Sequence, residues 1–72
     1  MDMTLNEAEI GKEYVVTDIE TDGDDELRSF LFSLGCYSGE TITVVDKKRN
    51  LVVAIKDARY NIDPDLAEAI KI

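Results

Sequence analysis

No histidine occurs in the chain, and cysteine occurs once, at Cys36. Imidazole and thiolate are the ligands that transition metals favour at neutral pH, and tight sites need several of them. The composition therefore argues against a ferrous or zinc centre, and no metal or other cofactor is expected. A lone cysteine cannot close an internal disulfide, which fits a reducing compartment. It also lacks an imidazole to serve as its base, so Cys36 is expected to be a small apolar packing residue and not a nucleophile. No glycine-rich stretch precedes a lysine followed by serine or threonine, which leaves nucleotide binding unsupported. No carboxylate pair is placed so as to demand acid–base work. No catalytic residue is assigned, and the chain is not expected to be an enzyme.

Long hydrophobic runs are also missing. None approaches the ~20 residues needed to cross a bilayer, so no direct membrane insertion is expected. The start of the chain, Met1-Asp2-Met3-Thr4, has neither the basic nor the apolar region of a signal peptide, and the expected location is the cytoplasm. Basic residues are scarce: 8 Lys and Arg stand against 16 Asp and Glu, a net charge of −8. Nucleic acid is a polyanion whose binding usually requires a basic face, and anionic lipid makes the same demand. The one basic cluster, Lys47-Lys48-Arg49, falls where a hairpin tip is expected and reads as a solvated turn. Acidity favours solubility and steers a domain toward a basic patch on a protein partner.

The 72 residues leave room for a single domain, spanning 1–72. An apolar content of 44% is that of a globular chain and too high for a disordered one. Thr4-Leu5-Asn6-Glu7 has capping-box spacing and predicts a single helical turn ending near Gly11. Residues 14–20 are rich in β-formers, but Tyr14 and Val16 favour one face while Val15 and Ile19 favour the other, which a bulge would reconcile. After a polar loop at 21–26, Asp24 or Asp25 can cap a helix beginning near Glu26. Residues 40–46, 51–56 and 59–62 read as strands. Asp63-Pro64 places an N-cap before a first-turn proline, which starts a short helix that buries Leu66 and Ala67. Residues 70–72 close the chain as a strand. The expected fold is mainly β, a small SH3-like barrel of about five strands with a short inserted helix and a short C-terminal helix, since closure protects sheet edges in a chain with little else to cover them.

The stretch from Leu27 to Ile42 is the most informative. Leu27, Phe30, Leu31 and Leu34 recur at i, i+3, i+4 and i+7, one apolar helix face. Gly35 stands where a helix end needs a left-handed residue, and Gly39 just precedes the next strand. Phe32 lies ~150° from the centre of that stripe, at 100° per residue. Two fates are open to it. The scarcity of aromatic area in a small domain favours cover from the C-terminal helix or the N-terminal turn. Alternatively it faces outward beside Arg28, with Tyr37 in the following turn, a composition typical of binding hot spots. Arg28, Phe32 and Tyr37 are therefore the candidate partner-binding residues.

Several anchors in this order resemble the FeoA family: Leu5 and Gly11, the strand ending near Ile19, Leu31-x-x-Leu34-Gly35, Gly39, the strand from Ile42, and Ala67-x-x-Ile70-x-Ile72. The chain departs from that family's habits in having Phe30 before Leu31, Ser38 before Gly39, only Lys47 to Asn50 between the middle strands, and strong acidity. The resemblance implies an SH3-like barrel and a non-enzymatic role in bacterial ferrous iron uptake. In that role it would bind and support or regulate the cytosolic, GTPase-bearing portion of the membrane transporter FeoB. Two rival readings remain. One is a barrel that makes protein contacts within a metal-dependent transcription regulator or a nucleic-acid-associated complex. The other is a weak divalent-cation binder over 18–26, where Asp18-Ile19-Glu20-Thr21-Asp22-Gly23 approximates the first half of a calcium loop but Ser29 occupies the position that requires glutamate.

Overall fold

The computed structural model describes residues 3–72; Met1 and Asp2, part of the stretch read for a signal peptide, lie outside the described residues. Among the described residues, six short strands and two short helices follow one another as β1 (Glu13–Val15), β2 (Asp18–Ile19), α1 (Asp25–Ser33), β3 (Thr41–Lys47), β4 (Leu51–Ile55), β5 (Ala58–Ile62), α2 (Pro64–Glu68) and β6 (Ile70–Lys71). A 3-10 turn at Leu5–Glu7 precedes them, and the Glu7 carboxylate reaches back to accept from the Thr4 amide at 3.2 Å. One antiparallel sheet has the order β1-β3-β4-β5, and a second pairs β2 with β6. The N-terminal segment joins the second sheet through the Thr4–Lys71 bridge and the bond from the Ile72 amide to the Met3 carbonyl. The result is the expected mainly β barrel.

The strand expected over 14–20 is two strands, one in each sheet, which raises the count from about five to six. Val16 is the corner between them. Its side chain is buried, as is that of Ile19, while Val15 stays 52% exposed. Strict alternation fails because the chain leaves one sheet after Val15 and resets its facing before Asp18. No bulge is needed there. The register shift occurs instead in β3, between Val44 and Asp46, opposite β4. Buried side chains then alternate along β4 as Leu51, Val53 and Ile55, matching period-2 burial on one face.

The core joins both sheets and both helices: Leu5, Val16, Ile19, Leu31, Ile42, Val44, Val53, Ala67 and Ile70 are all in it. α2 forms as expected, with the Asp63 carboxylate accepting from the Leu66 amide at 2.7 Å and Pro64 in the first turn. α1 is capped by Asp24, which accepts from the Leu27 amide at 3.0 Å. The acidic loop thus serves as a helix start, where carboxylates suit the positive end of the helix dipole.

α1 docks mainly through Leu31, which is buried, with Leu27 and Leu34 half-buried against the core. Phe30 departs from the expected stripe: it is 49% exposed. At 100° per residue Phe30 and Phe32 fall about 100° to either side of Leu31, so one cannot be turned inward without displacing the leucine. The helix ends in a complete Schellman pair. The Cys36 amide bonds the Leu31 carbonyl at 2.9 Å, and the Gly35 amide bonds the Phe32 carbonyl at 2.9 Å. Gly35 has φ +87°, and a Cβ built there would lie 3.5 Å from Ile55 Cγ2 and 3.7 Å from Lys56 Cε. Space is therefore sufficient and the left-handed backbone is the constraint. Gly35→Ala is expected to destabilise the fold by about 1–2 kcal/mol in urea titrations. A change of under a few tenths would show that the helix end does not hold this geometry.

Candidate functional site

The exit of α1 and the turn after it place aromatic and cationic groups on one patch. Phe32 is 52% exposed, which settles the two open fates in favour of the outward one. Neither α2 nor the N-terminal turn covers it. Its ring meets Tyr37 edge-on, with centroids 5.7 Å apart and planes at 69°. Such a pair is worth about 0.5–1.5 kcal/mol and holds both rings in one orientation. Arg28, one turn before Phe32, is an exposed residue whose guanidinium donates to the Ile19 carbonyl at 2.8 Å. That bond ties the helix to β2 and fixes the guanidinium near the helix flank.

A residue that the sequence reading did not single out completes the patch. Lys56 Nζ donates to the Tyr37 hydroxyl at 3.1 Å and stands 5.4 Å from the ring centroid. The hydrogen bond to Tyr37, reinforced by the Glu40 carboxylate, raises its pKa above the usual lysine value, so it is charged throughout the physiological range. Lys56 lies in the turn that joins Ile55 to Ala58, in a left-handed backbone conformation at φ 55°. Its aliphatic stem passes near Gly35, where a Cβ would make only ordinary contact with it, at 3.7 Å from Cε. Lys56 and Tyr37 are far apart in sequence and meet only through the fold, so no local pattern could have paired them.

The turn itself is held from below. The Val16 amide donates to the Glu40 carbonyl, and the Gly39 amide donates to the Val16 carbonyl, both at 2.8 Å. The Ser38 hydroxyl adds a bond to the Thr17 carbonyl at 3.1 Å. Gly39, at φ +95°, provides the left-handed step that lets the chain turn back onto Val16.

Other sites weighed from the sequence have clear structural places. Of the basic cluster, Lys47 Nζ donates to the Asn6 carbonyl at 2.8 Å, while Lys48 stands 4.0 Å from the Asp46 carboxylate at the hairpin. In the calcium-like stretch, Asp18 accepts from the Ile19 amide at 2.8 Å, inside β2 and not at the exit of a helix. Among the described residues no three His, Cys, Asp or Glu side chains converge closely enough to hold a metal ion. Among the described residues no helix is long and apolar enough to cross a membrane.

The architecture defines a class: a small SH3-like barrel whose inserted helix and following turn carry an exposed aromatic patch. The FeoA domain profile matches residues 3–72, and the chain belongs to that family. A crystal structure of an iron uptake regulatory protein (FeoA) superposes with a TM-score of 0.86 at 27% identity, covering 99% of this chain and 93% of that one. The FeoA of Stenotrophomonas maltophilia was solved with zinc. It is described as a prokaryotic SH3 domain protein and a candidate activating factor of ferrous iron transport. It gives a TM-score of 0.86 at 25% identity, covering 94% of this chain and 86% of that one. A manganese-dependent transcriptional repressor shares the fold, with a TM-score of 0.86 at 22% identity over 99% of this chain and 40% of that chain. No curated protein matches the sequence.

Cys36 is buried beneath this joint at 1% exposure, and burial pushes its thiol up to about 11. A neutral buried thiol is inert as a nucleophile and behaves as a small apolar residue. Because the folded value is raised, the folded state keeps a proton that the unfolded chain releases. Stability from this group is therefore complete below 9.0 and is lost as pH rises toward about 11. Urea midpoints are expected to fall more steeply over that window in the native protein than in Cys36→Ala. Parallel profiles would show that the thiol is solvated in the folded state.

Proposed function

We propose that this chain is a non-enzymatic accessory protein of bacterial ferrous iron uptake, acting in the cytoplasm as one interaction unit over residues 1–72. It binds the cytosolic, GTPase-bearing portion of the membrane transporter FeoB and supports or regulates it. Family membership and the role attached to the Stenotrophomonas maltophilia protein support the uptake context. The observation that carries the docking mode is the exposed Phe32 stacked edge-on against Tyr37, with Lys56 on the tyrosine and Arg28 one turn back. An aromatic pair fixed before binding loses little side-chain entropy on contact, and aromatics with arginine dominate measured hot spots. Docking through this patch asks nothing of Cys36 or of a metal.

A second reading has one observation in its favour. The same fold makes up part of a larger manganese-dependent repressor, so the barrel also serves as a module inside regulators. With a net charge of −8 the chain would act there through protein contacts and not through DNA.

The test is binding to the isolated soluble portion of FeoB. The double variant Phe32→Ser with Tyr37→Ser is expected to weaken binding by roughly thirtyfold or more, the size of one lost hot spot of about 2 kcal/mol. Its β-sheet spectrum should stay native, because both side chains lie outside the core. Wild-type affinity in this variant would reject the surface. A wild-type chain that fails to bind would reject the partner.

A further inference from the structure

An apolar trough lies on the other flank of α1, where the helix meets α2. Two adjoining depressions, of about 180 and 260 Å³, share Leu27 and Asp65 as walls; Leu66 gives the larger its apolar floor, while Thr21 and the buried Ala69 line the smaller. Leu27 and Leu66 are only half-buried against the core, so each leaves apolar surface uncovered. Leu27 and Phe32 are about 140° apart on the helical wheel, which separates this trough from the aromatic patch.

Every charged side chain lining the trough is a carboxylate: Glu20, Asp22, Asp63, Asp65 and Glu68. Two of them are already engaged. Asp63 caps α2, and Glu68 accepts from Asn6 at 2.8 Å and from the Thr4 hydroxyl at 3.3 Å. Glu20, Asp22 and Asp65 have no ion pair among the described residues, where the single pair is Lys48 with Asp46. Apolar floor and uncompensated negative rim specify the occupant by complementarity. It must offer alkyl groups and positive charge in alternation. A metal ion would leave the floor uncovered, and no three carboxylates converge on one point among the described residues. Nucleic acid and anionic lipid carry the wrong sign.

We propose that this trough is a docking groove for a basic, leucine-containing peptide segment of a protein partner. Its apolar side chains rest on Leu27 and Leu66, and its lysine or arginine heads meet Glu20, Asp22 and Asp65. The groove is independent of the aromatic patch, so either surface can fail without the other.

The experiment is an NMR titration of the labelled full chain with a synthetic peptide of alternating leucine and lysine. Peptides with glutamate for lysine, or serine for leucine, serve as controls. Amide shifts are expected at Leu27, Asp65 and Leu66 with the Leu-Lys peptide, and neither control should reproduce them. Affinity should fall about tenfold as salt rises from ~0.05 to ~0.5 M. The triple variant Glu20→Gln, Asp22→Asn, Asp65→Asn should bind about tenfold more weakly while keeping its amide spectrum. Asparagine tolerates the left-handed backbone that Asp22 adopts at φ 52°. Equal shifts from the glutamate or serine peptide, shifts centred on Phe32 and Tyr37, or unchanged affinity in the triple variant would each overturn the proposal.

Discussion

The two backbone hydrogen bonds of Val16 fix the rest of the structure. At this residue the chain leaves the four-stranded sheet and enters the two-stranded one. Its amide and carbonyl are taken by Glu40 and Gly39, the turn that follows α1. Its side chain is buried at 1% exposure. One residue therefore joins the barrel corner to the base of the aromatic patch. A buried peptide group cannot be left unpaired without a cost of about 1–3 kcal/mol, so the turn has little freedom to lift away. Tyr37 is held where Phe32 and Lys56 can reach it.

A small domain has little apolar material, and this one leaves parts of two phenylalanines in water. The geometry of α1 explains why. Leu31 fills the site under the helix, and its burial contributes roughly 1.5–3 kcal/mol. The flanking residues must then project to either side. On one side Phe32 gains Tyr37 as a neighbour, and Lys56 closes over that ring. On the other side Phe30 is exposed, and one turn earlier Leu27 walls the acid-rimmed trough. The helix thus presents two chemically different flanks, one aromatic and cationic, the other apolar and bordered by carboxylates.

Local patterns announced the elements more reliably than the contacts. The caps at Asp24 and Asp63, the stop at Gly35, the turn at Gly39 and the β4 alternation each follow from short-range chemistry, and each stands where the residues indicate. Residues 14–20 read as one strand because alternation assumes one sheet, and here the chain serves two. Phe30 departs from the stripe because helical spacing gives a stripe without its width, and the barrel covers Leu31 fully and Leu27 and Leu34 in part. For the candidate site, Phe32 and Tyr37 can be located from the wheel and the turn, while the exposure of Phe32 follows from which flank of α1 the barrel covers. Lys56 was invisible, since its partnership with Tyr37 arises from a hairpin folding over a helix end. The acid rim is likewise gathered from 20–22 and 63–68, two segments that only tertiary structure brings together.

The aromatic patch is a preformed platform anchored through Val16. Native-state hydrogen exchange of the Val16, Gly39 and Cys36 amides tests it most directly. A preformed platform should show protection comparable to that of Val53 in the middle of β4, released only by global unfolding. Exchange as fast as that of the exposed Lys48–Asn50 loop would show a turn that opens independently of the barrel, and would contradict it.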